Sequence, residues 1–170
     1  MSIFRKPTPL AVSHRVDEFD SGKPALDAFL KDLALYNQEQ GYTRTFVIAD
    51  AQYRVAGYHS LCAGMINREN APRHVKGQRA PGEIPVALLA RLAVDKQYQG
   101  QGLGAALFKN AMLSVISTAQ IVAFRAVMVH ALDDEAERFY LKYGFRSAKG
   151  LERTLLLPAK DIAAALAAAT

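Results

Sequence analysis

Cysteine is almost absent. The single one, Cys62, can close no internal disulfide and cannot build a cysteine zinc cluster, which excludes a disulfide-stapled secreted scaffold. Long apolar runs are missing as well. No stretch of about 18 uninterrupted apolar residues exists, so nothing reads as a membrane-spanning helix. The opening MSIFRKPTPLAVSHRV lacks a long apolar core and a small-residue cleavage site, so it does not read as a signal peptide, and the expected location is cytoplasmic. No internal repeat, linker or metal-ligand pattern is found. What is present is globular: 170 residues, 51% hydrophobic and 22% charged, suit one compact domain over 1–170 and are too few for two comfortable ones. Twenty-one Lys+Arg against sixteen Asp+Glu give +5 and a pI near 9.4, which favours polyanionic partners. The excess gathers in RENAPRHVKGQR, where Arg68, Arg73, Lys76 and Arg79 stand with one acid, Glu69. Charge alone fits a solvated loop equally well.

Leu26, Phe29, Leu30, Leu33 and Tyr36 recur at spacings of three and four, which predicts a helix over 24–40 with one apolar stripe, opened by Pro24 and stopped near Gly41. TRTFVIAD (43–50) and YRVAGYHSLCAGMI (53–66) read as an antiparallel strand pair. Residues 67–82, with two prolines and two glycines, read as a loop, and IPVALLARLAVD (84–95) as a buried strand. A buried helix is expected over 102–118 and a strand over 124–131. The acids Asp133, Asp134 and Glu135 open a short helix that ends at Gly144, with Glu137 placed to complete a capping box with Asp134. RTLLLPAK (153–160) reads as a last strand before an alanine-rich helical tail. Strands alternating with helices indicate an α/β or α+β domain.

The chemistry lies in ARLAVDKQYQGQGLGAALFKNAM, residues 90–112. An apolar strand passes through Gln99-Gly100-Gln101-Gly102-Leu103-Gly104 into a helix. Glycines remove Cβ atoms where backbone must approach a ligand, and a helix start offers unpaired N–H groups to a phosphate. The segment is not a P-loop, because no Gly-Lys-Ser/Thr follows, and it fails the dinucleotide GxGxxG spacing. It does match Gln-x-x-Gly-x-Gly, preceded by Leu92-Ala93-Val94. Downstream stand Asp133-x-x-Ala136 and Phe139-Tyr140-Leu141-Lys142-Tyr143-Gly144-Phe145.

On these residues the chain resembles the GCN5-related N-acetyltransferases (GNATs), from about residue 12 to 157. LDAFLKDLALYNQEQGYTRTFV, GYHSL, LLARLAVD, QGQGLGAAL and VHALDDEAERFYLKYGF, in this order, resemble more narrowly the GNAT toxins of bacterial toxin–antitoxin modules. The resemblance implies a mixed, mostly antiparallel central sheet flanked by helices, whose central strands splay to hold acetyl-CoA. It implies acetylation of the primary amine of an amino acid charged on tRNA, which blocks translation. It also implies a ribbon-helix-helix antitoxin, operator DNA reached only through the antitoxin complex, and a homodimer. One departure stands out: where the family has Asn, this chain has Asp133, so that cofactor contact does not carry over.

By the family pattern, Leu92, Ala93 and Val94 line the pantetheine arm, and the Val94 N–H serves as oxyanion donor. Gln99, Gly100, Gln101, Gly102, Leu103, Gly104 and Ala105 hold the pyrophosphate, and Phe139 lies beside Tyr140, the acid that protonates the departing sulfur. No general base stands out. An α-amino group of pKa about 8, lowered further by esterification, is already partly neutral at pH 7, and Glu83 is a weak alternative. His59 and His130 are expected to pack or hydrogen-bond, and Cys62 to fill core. Arg68, Arg73, Lys76, Arg79, Arg91, Arg138, Lys142, Arg146 and Lys149 are the candidates for tRNA phosphates. Competing readings are a GNAT acting on protein N-termini or small amines, and a non-catalytic acetyl-CoA-binding DNA co-repressor.

Overall fold

The computed structural model describes residues 3–169. Its strands are β1 (Thr8–Pro9), β2 (Arg44–Ala49), β3 (Val55–Asn67), β4 (Glu83–Val94), β5 (Ala126–His130), β6 (Arg146–Ser147) and β7 (Thr154–Pro158). They form a seven-stranded sheet in the order β1-β2-β3-β4-β5-β7-β6. The β1–β2, β2–β3, β5–β7 and β6–β7 pairs are antiparallel, and β4–β5 is parallel. The helices are α1 (Pro24–Ala28), α2 (Ala34–Gln40), α3 (Arg73–Lys76), α4 (Leu103–Thr118), α5 (Asp134–Lys142) and α6 (Ile162–Ala168). The chain packs as two compact units, Met1–Cys62 with Ala90–Ala111, and Ala63–Leu89 with Met112–Thr170. Strands β3 and β4 run through both.

In the first unit, Phe19, Phe29, Leu30, Val47 and Tyr58 form one core with Ala93 of β4, and Ile48, Ala56, Leu103 and Leu107 form a second. Burial of such side chains is worth about 1.5–3 kcal/mol each. Gly57 makes the second core possible: a Cβ there would stand 2.9 Å from Leu107 Cδ1 and 3.2 Å from the Ala93 carbonyl. The 24–40 helix departs from expectation. Between α1 and α2 runs a π-helical segment, Phe29–Leu33, closed by the Ala34 N–H bonding to the Phe29 carbonyl. The wider turn adds a residue, so the inward position after Phe29 and Leu30 falls on Ala34, which is fully buried. Leu33 and Tyr36, expected on the apolar stripe, are turned out to 50% and 57% exposure.

In the second unit, Ile84, Val86, Ala126, Met128 and Leu156 from three strands pack on Ile66, Ala71 and Val75. Residues 67–82 are therefore more than the expected loop, since a 3-10 turn (Arg68–Asn70) and α3 bury Ala71 and Val75. The capping expectation is also corrected. Asp133, in extended conformation, is the N-cap of α5 and accepts the Ala136 N–H at 2.9 Å. That leaves Glu137 beyond the reciprocal position, 3.7 Å from the Arg153 guanidinium. The β4–β5 ladder runs from Val86↔Ala126 to Leu89↔Val129 and stops there, five residues short of the end of β4 at Val94.

Candidate active site

In the first unit, β4 delivers Leu92 and Val94 half-buried and Ala93 buried, and then the chain turns into the glycine loop. That turn is clamped. Asp95, 6% exposed, accepts the Gln97 N–H on Oδ1 (2.9 Å) and the Asp20 N–H on Oδ2 (3.0 Å), and donates its own N–H to Ala56 (2.8 Å). Lys96 returns the contact, donating its N–H to the Asp20 carbonyl and pairing its Nζ with Asp20 Oδ2, both at 2.9 Å. The Lys96 side chain holds the Asp20 carboxyl below its ordinary range. Gln99 then donates its amide Nε2 to the Val94 carbonyl (2.9 Å) and the Ser21 carbonyl (3.2 Å), which closes the turn at its base.

Gly100 and Gly102 follow at φ +80° and +85°, the left-handed region open to glycine, with nothing within 4 Å of a notional Cβ at either. Gln101 is exposed between them. The first helical bond of α4 runs from the Ala106 N–H to the Gly102 carbonyl (3.1 Å), so the N–H groups of Leu103, Gly104 and Ala105 precede any helical acceptor. An open cradle at the positive end of a sixteen-residue helix is suited to a pyrophosphate. A groove of about 500 Å3 flanks the loop, lined by Arg5, Lys6, Ile48, Gln101 and Leu103 among others.

In the second unit, α5 presents an aromatic cluster. Phe139 meets Tyr140 and Tyr143 edge-on at 5.1 and 5.2 Å, and Tyr140 lies 5.3 Å from Phe145. Tyr140 is 6% exposed, and burial alone pushes its phenol above the usual tyrosine range, so it keeps its proton at neutral pH.

The basic candidates are scattered. Arg73 and Arg79 are exposed and Lys76 half-buried, while Arg138 is exposed on α5. Lys142 places its ammonium 4.9 Å from the Tyr143 ring and 5.4 Å from Phe139. Arg91 lies with its guanidinium 3.8 Å over Phe29, which in turn stacks on Tyr58 at 6.2 Å. His59 is fully buried, stacked on Phe46 and bonded to Asn110; His130 is exposed and 3.0 Å from Thr154 Oγ1. Sequence reasoning missed Asp95, Asp20 and Ser21 as the supports of the loop, because their pairing is tertiary. A buried acid directly after the Leu-x-Val strand was the one local signal for Asp95.

A strand leading through a glycine cradle to a helix start is the frame of an acetyl-CoA-dependent N-acetyltransferase. The chain belongs to the GNAT acetyltransferases: the acetyltransferase (GNAT) domain model matches residues 17–154. It is 38% identical over 161 residues, 95% of this chain and 96% of the other, to a tRNA-acetylating toxin of Mycobacterium tuberculosis (strain ATCC 25618 / H37Rv). Its fold matches AtaT complexed with acetyl-methionyl-tRNAfMet at a TM-score of 0.86 and 30% identity, over 94% of this chain and 97% of that one. It also matches a tyrosine-to-phenylalanine mutant of AtaT bound to the C-terminus of the antitoxin AtaR and acetyl-CoA (TM-score 0.80, 28% identity, 95% and 96% covered).

Proposed function

We propose that this chain is the toxin of a toxin–antitoxin module and transfers acetyl from acetyl-CoA to the primary amine of aminoacyl-tRNA, blocking translation. The observation that carries this reading is the 38% identity, over 95% of this chain and 96% of the other, to a tRNA-acetylating toxin. The net charge of +5 suits a polyanionic substrate. We take residues 1–170 as one acetyltransferase domain acting in the cytoplasm, where charged tRNA is found, and as a homodimer. No helix among the described residues is long and apolar enough to cross a membrane. We take its neutralising partner to be a ribbon-helix-helix antitoxin and operator DNA to be reached through that complex; in support, the similar AtaT is found bound to the C-terminus of the antitoxin AtaR, and the AtaT–AtaR complex bound to DNA.

Acetyl-CoA, when bound, supplies the activated acyl group. The residues of this chain do the rest. Gln99 fixes the turn; the N–H groups of Gln101 to Ala105 hold the pyrophosphate; Leu92, Ala93 and Val94 align the pantetheine arm; and Arg5 and Lys6 offer positive charge beside the loop. The Val94 N–H stabilises the negative charge that builds on the carbonyl oxygen as the amine attacks. Phe139 packs Tyr140 in place, and Tyr140 gives its proton to the sulfur as the carbon–sulfur bond breaks. The attacking amine arrives partly neutral, and the proton its nitrogen sheds on forming the amide passes through water to restore the Tyr140 phenol, so a dedicated base is not required.

The test is incubation of the purified chain with labelled acetyl-CoA and total charged tRNA, with uncharged tRNA as control. Label on the amino acid of charged tRNA alone is expected. Acetyl-CoA binding without label on tRNA would overturn the substrate and direct the search to protein N-termini and small amines.

A further inference from the structure

The basic loop of the second unit is fastened at both ends by arginines. Arg125, at the entry to β5, donates Nε to the Val75 carbonyl and its backbone N–H to the Pro85 carbonyl (2.9 Å). Arg68 donates Nη1 to the Ala80 carbonyl (3.0 Å). Between these anchors Gly77 sits at φ 68° and ψ −173°, a region essentially reserved for glycine. A Cβ there would stand 3.0 Å from Arg125 Nη2, so the glycine is what lets loop and guanidinium touch. A guanidinium carries five N–H donors, and among the described residues Arg125 commits only Nε. The side chains of Lys76 and Arg79 have no ion pair or hydrogen bond among the described residues.

Between this loop and the entry to β5 lies an open groove of about 510 Å3. Its wall combines Lys76, Arg79 and Arg125 with Phe124, Pro81 and Pro85, and no carboxylate lines it. Three cations beside a flat, partly aromatic wall complement a ligand that is anionic on one side and flat and apolar on the other. A nucleotide has that character: phosphate for the cations, base for the ring. An acidic peptide would satisfy the charges but leave the Phe124 wall without a matching face.

We propose that this groove is a contact site for an unpaired nucleotide of the RNA substrate, with Lys76, Arg79 and Arg125 on the phosphates and Phe124 under the base. This rests on the tRNA reading above, and the test separates the two. Wild type, the Lys76→Gln/Arg79→Gln double variant and Phe124→Leu are compared in the full chain. Affinity for fluorescent uncharged tRNA is measured by anisotropy across a salt series, and KM for charged tRNA and for acetyl-CoA by label transfer. Thermal melts confirm that each variant folds. The double variant is expected to bind tRNA about tenfold more weakly and to lower the slope of log affinity against log salt by roughly one to two. Phe124→Leu is expected to weaken binding about fivefold with the slope unchanged, because stacking releases no counterions. The KM for acetyl-CoA stays where it was in both. Affinity and charged-tRNA KM within twofold of wild type in both variants would overturn the groove, even with transfer to charged tRNA intact. Unchanged tRNA binding with lost binding of a poly-glutamate peptide would assign the groove to acidic protein and overturn it as well. Wild type that binds tRNA through the groove yet transfers no acetyl to charged tRNA would leave the groove standing and remove the proposed reaction.

Discussion

Acidification from pH 6.5 towards 4 should cost this protein about 3 kcal/mol of stability through one side chain, His59. Its ring is fully buried and stacks on Phe46 with centroids 5.2 Å apart and planes 17° from parallel. Nε2 lies 2.7 Å from Asn110 Oδ1. That oxygen only accepts, so Nε2 carries the hydrogen and Nδ1 is bare, and Nδ1 has no partner among the described residues. Protonation would place a second N–H where no acceptor waits. Burial accordingly pulls the pKa from 6.5 down to about 4, with the Asn110 bond opposing more weakly. In the unfolded chain the ring titrates at its ordinary value. Stability from this group is therefore complete above pH 6.5, falls by about 1.4 kcal/mol per pH unit below it, and levels off near pH 4. The gap of roughly 2.5 units gives the 3 kcal/mol. Urea unfolding at pH 7.5, 6.0 and 5.0 measures it, with His59→Gln as a comparison that keeps an amide for Asn110 but cannot titrate. Between pH 7.5 and 5.0 the wild type should lose about 2 kcal/mol more than the variant. If the two stabilities fell in parallel, the reasoning from burial would be wrong.

Other changes probe the site and its frame. Tyr140→Phe should reduce acetyl transfer by about 100-fold or more while the melt and acetyl-CoA affinity stay near wild type; undiminished turnover would remove Tyr140 from the acid role. Gly102→Ala places a side chain at φ +85° in open space, so the expected cost is backbone strain of about 1–3 kcal/mol. Calorimetric titration should show it as roughly tenfold weaker acetyl-CoA binding, and unaltered affinity would separate the loop from the pyrophosphate. Gly57→Ala crowds Leu107 and the Ala93 carbonyl and should cost about 1–3 kcal/mol. That corresponds to a Tm lower by roughly 2–10 °C in a scan, and an unchanged Tm would mean that β3 and α4 have room to part.

The cofactor half of the site was legible because strand, glycine turn and helix start are consecutive, and each leaves a local mark: apolar continuity, glycines, an Ala/Leu-rich run. The edges of the sheet were not. Strands β1 and β6 are two residues long, too short for an alternating pattern, and α3 at four residues shows no period of 3.6. Its helical turn forms because Val75 is fully buried, a tertiary cause. Pairings that cross the chain left no trace in composition: Asp95 with Asp20 at a separation of 75, His59 with Asn110 at 51, Arg125 with Val75 at 50. Asp133 and Asp134 are chemically interchangeable as caps, and only the extended backbone at Asp133 decides between them.

The Phe29–Leu33 segment acts on the 24–40 helix as a reading-frame shift acts on a message. Up to Leu30 the expected alternation of inward and outward positions holds; from Ala34 on, every position answers one place later. One residue has in effect been inserted into a helix without opening a loop, and the cost is carried by a single widened turn. Two consequences follow for anyone comparing this chain with another that lacks the bulge. The alignment needs a one-residue gap inside an unbroken helix, between Phe29 and Ala34. Without that gap, Leu33 and Tyr36 would be matched to core positions of the other chain although here they face solvent, and Ala34 would be misread as a surface alanine.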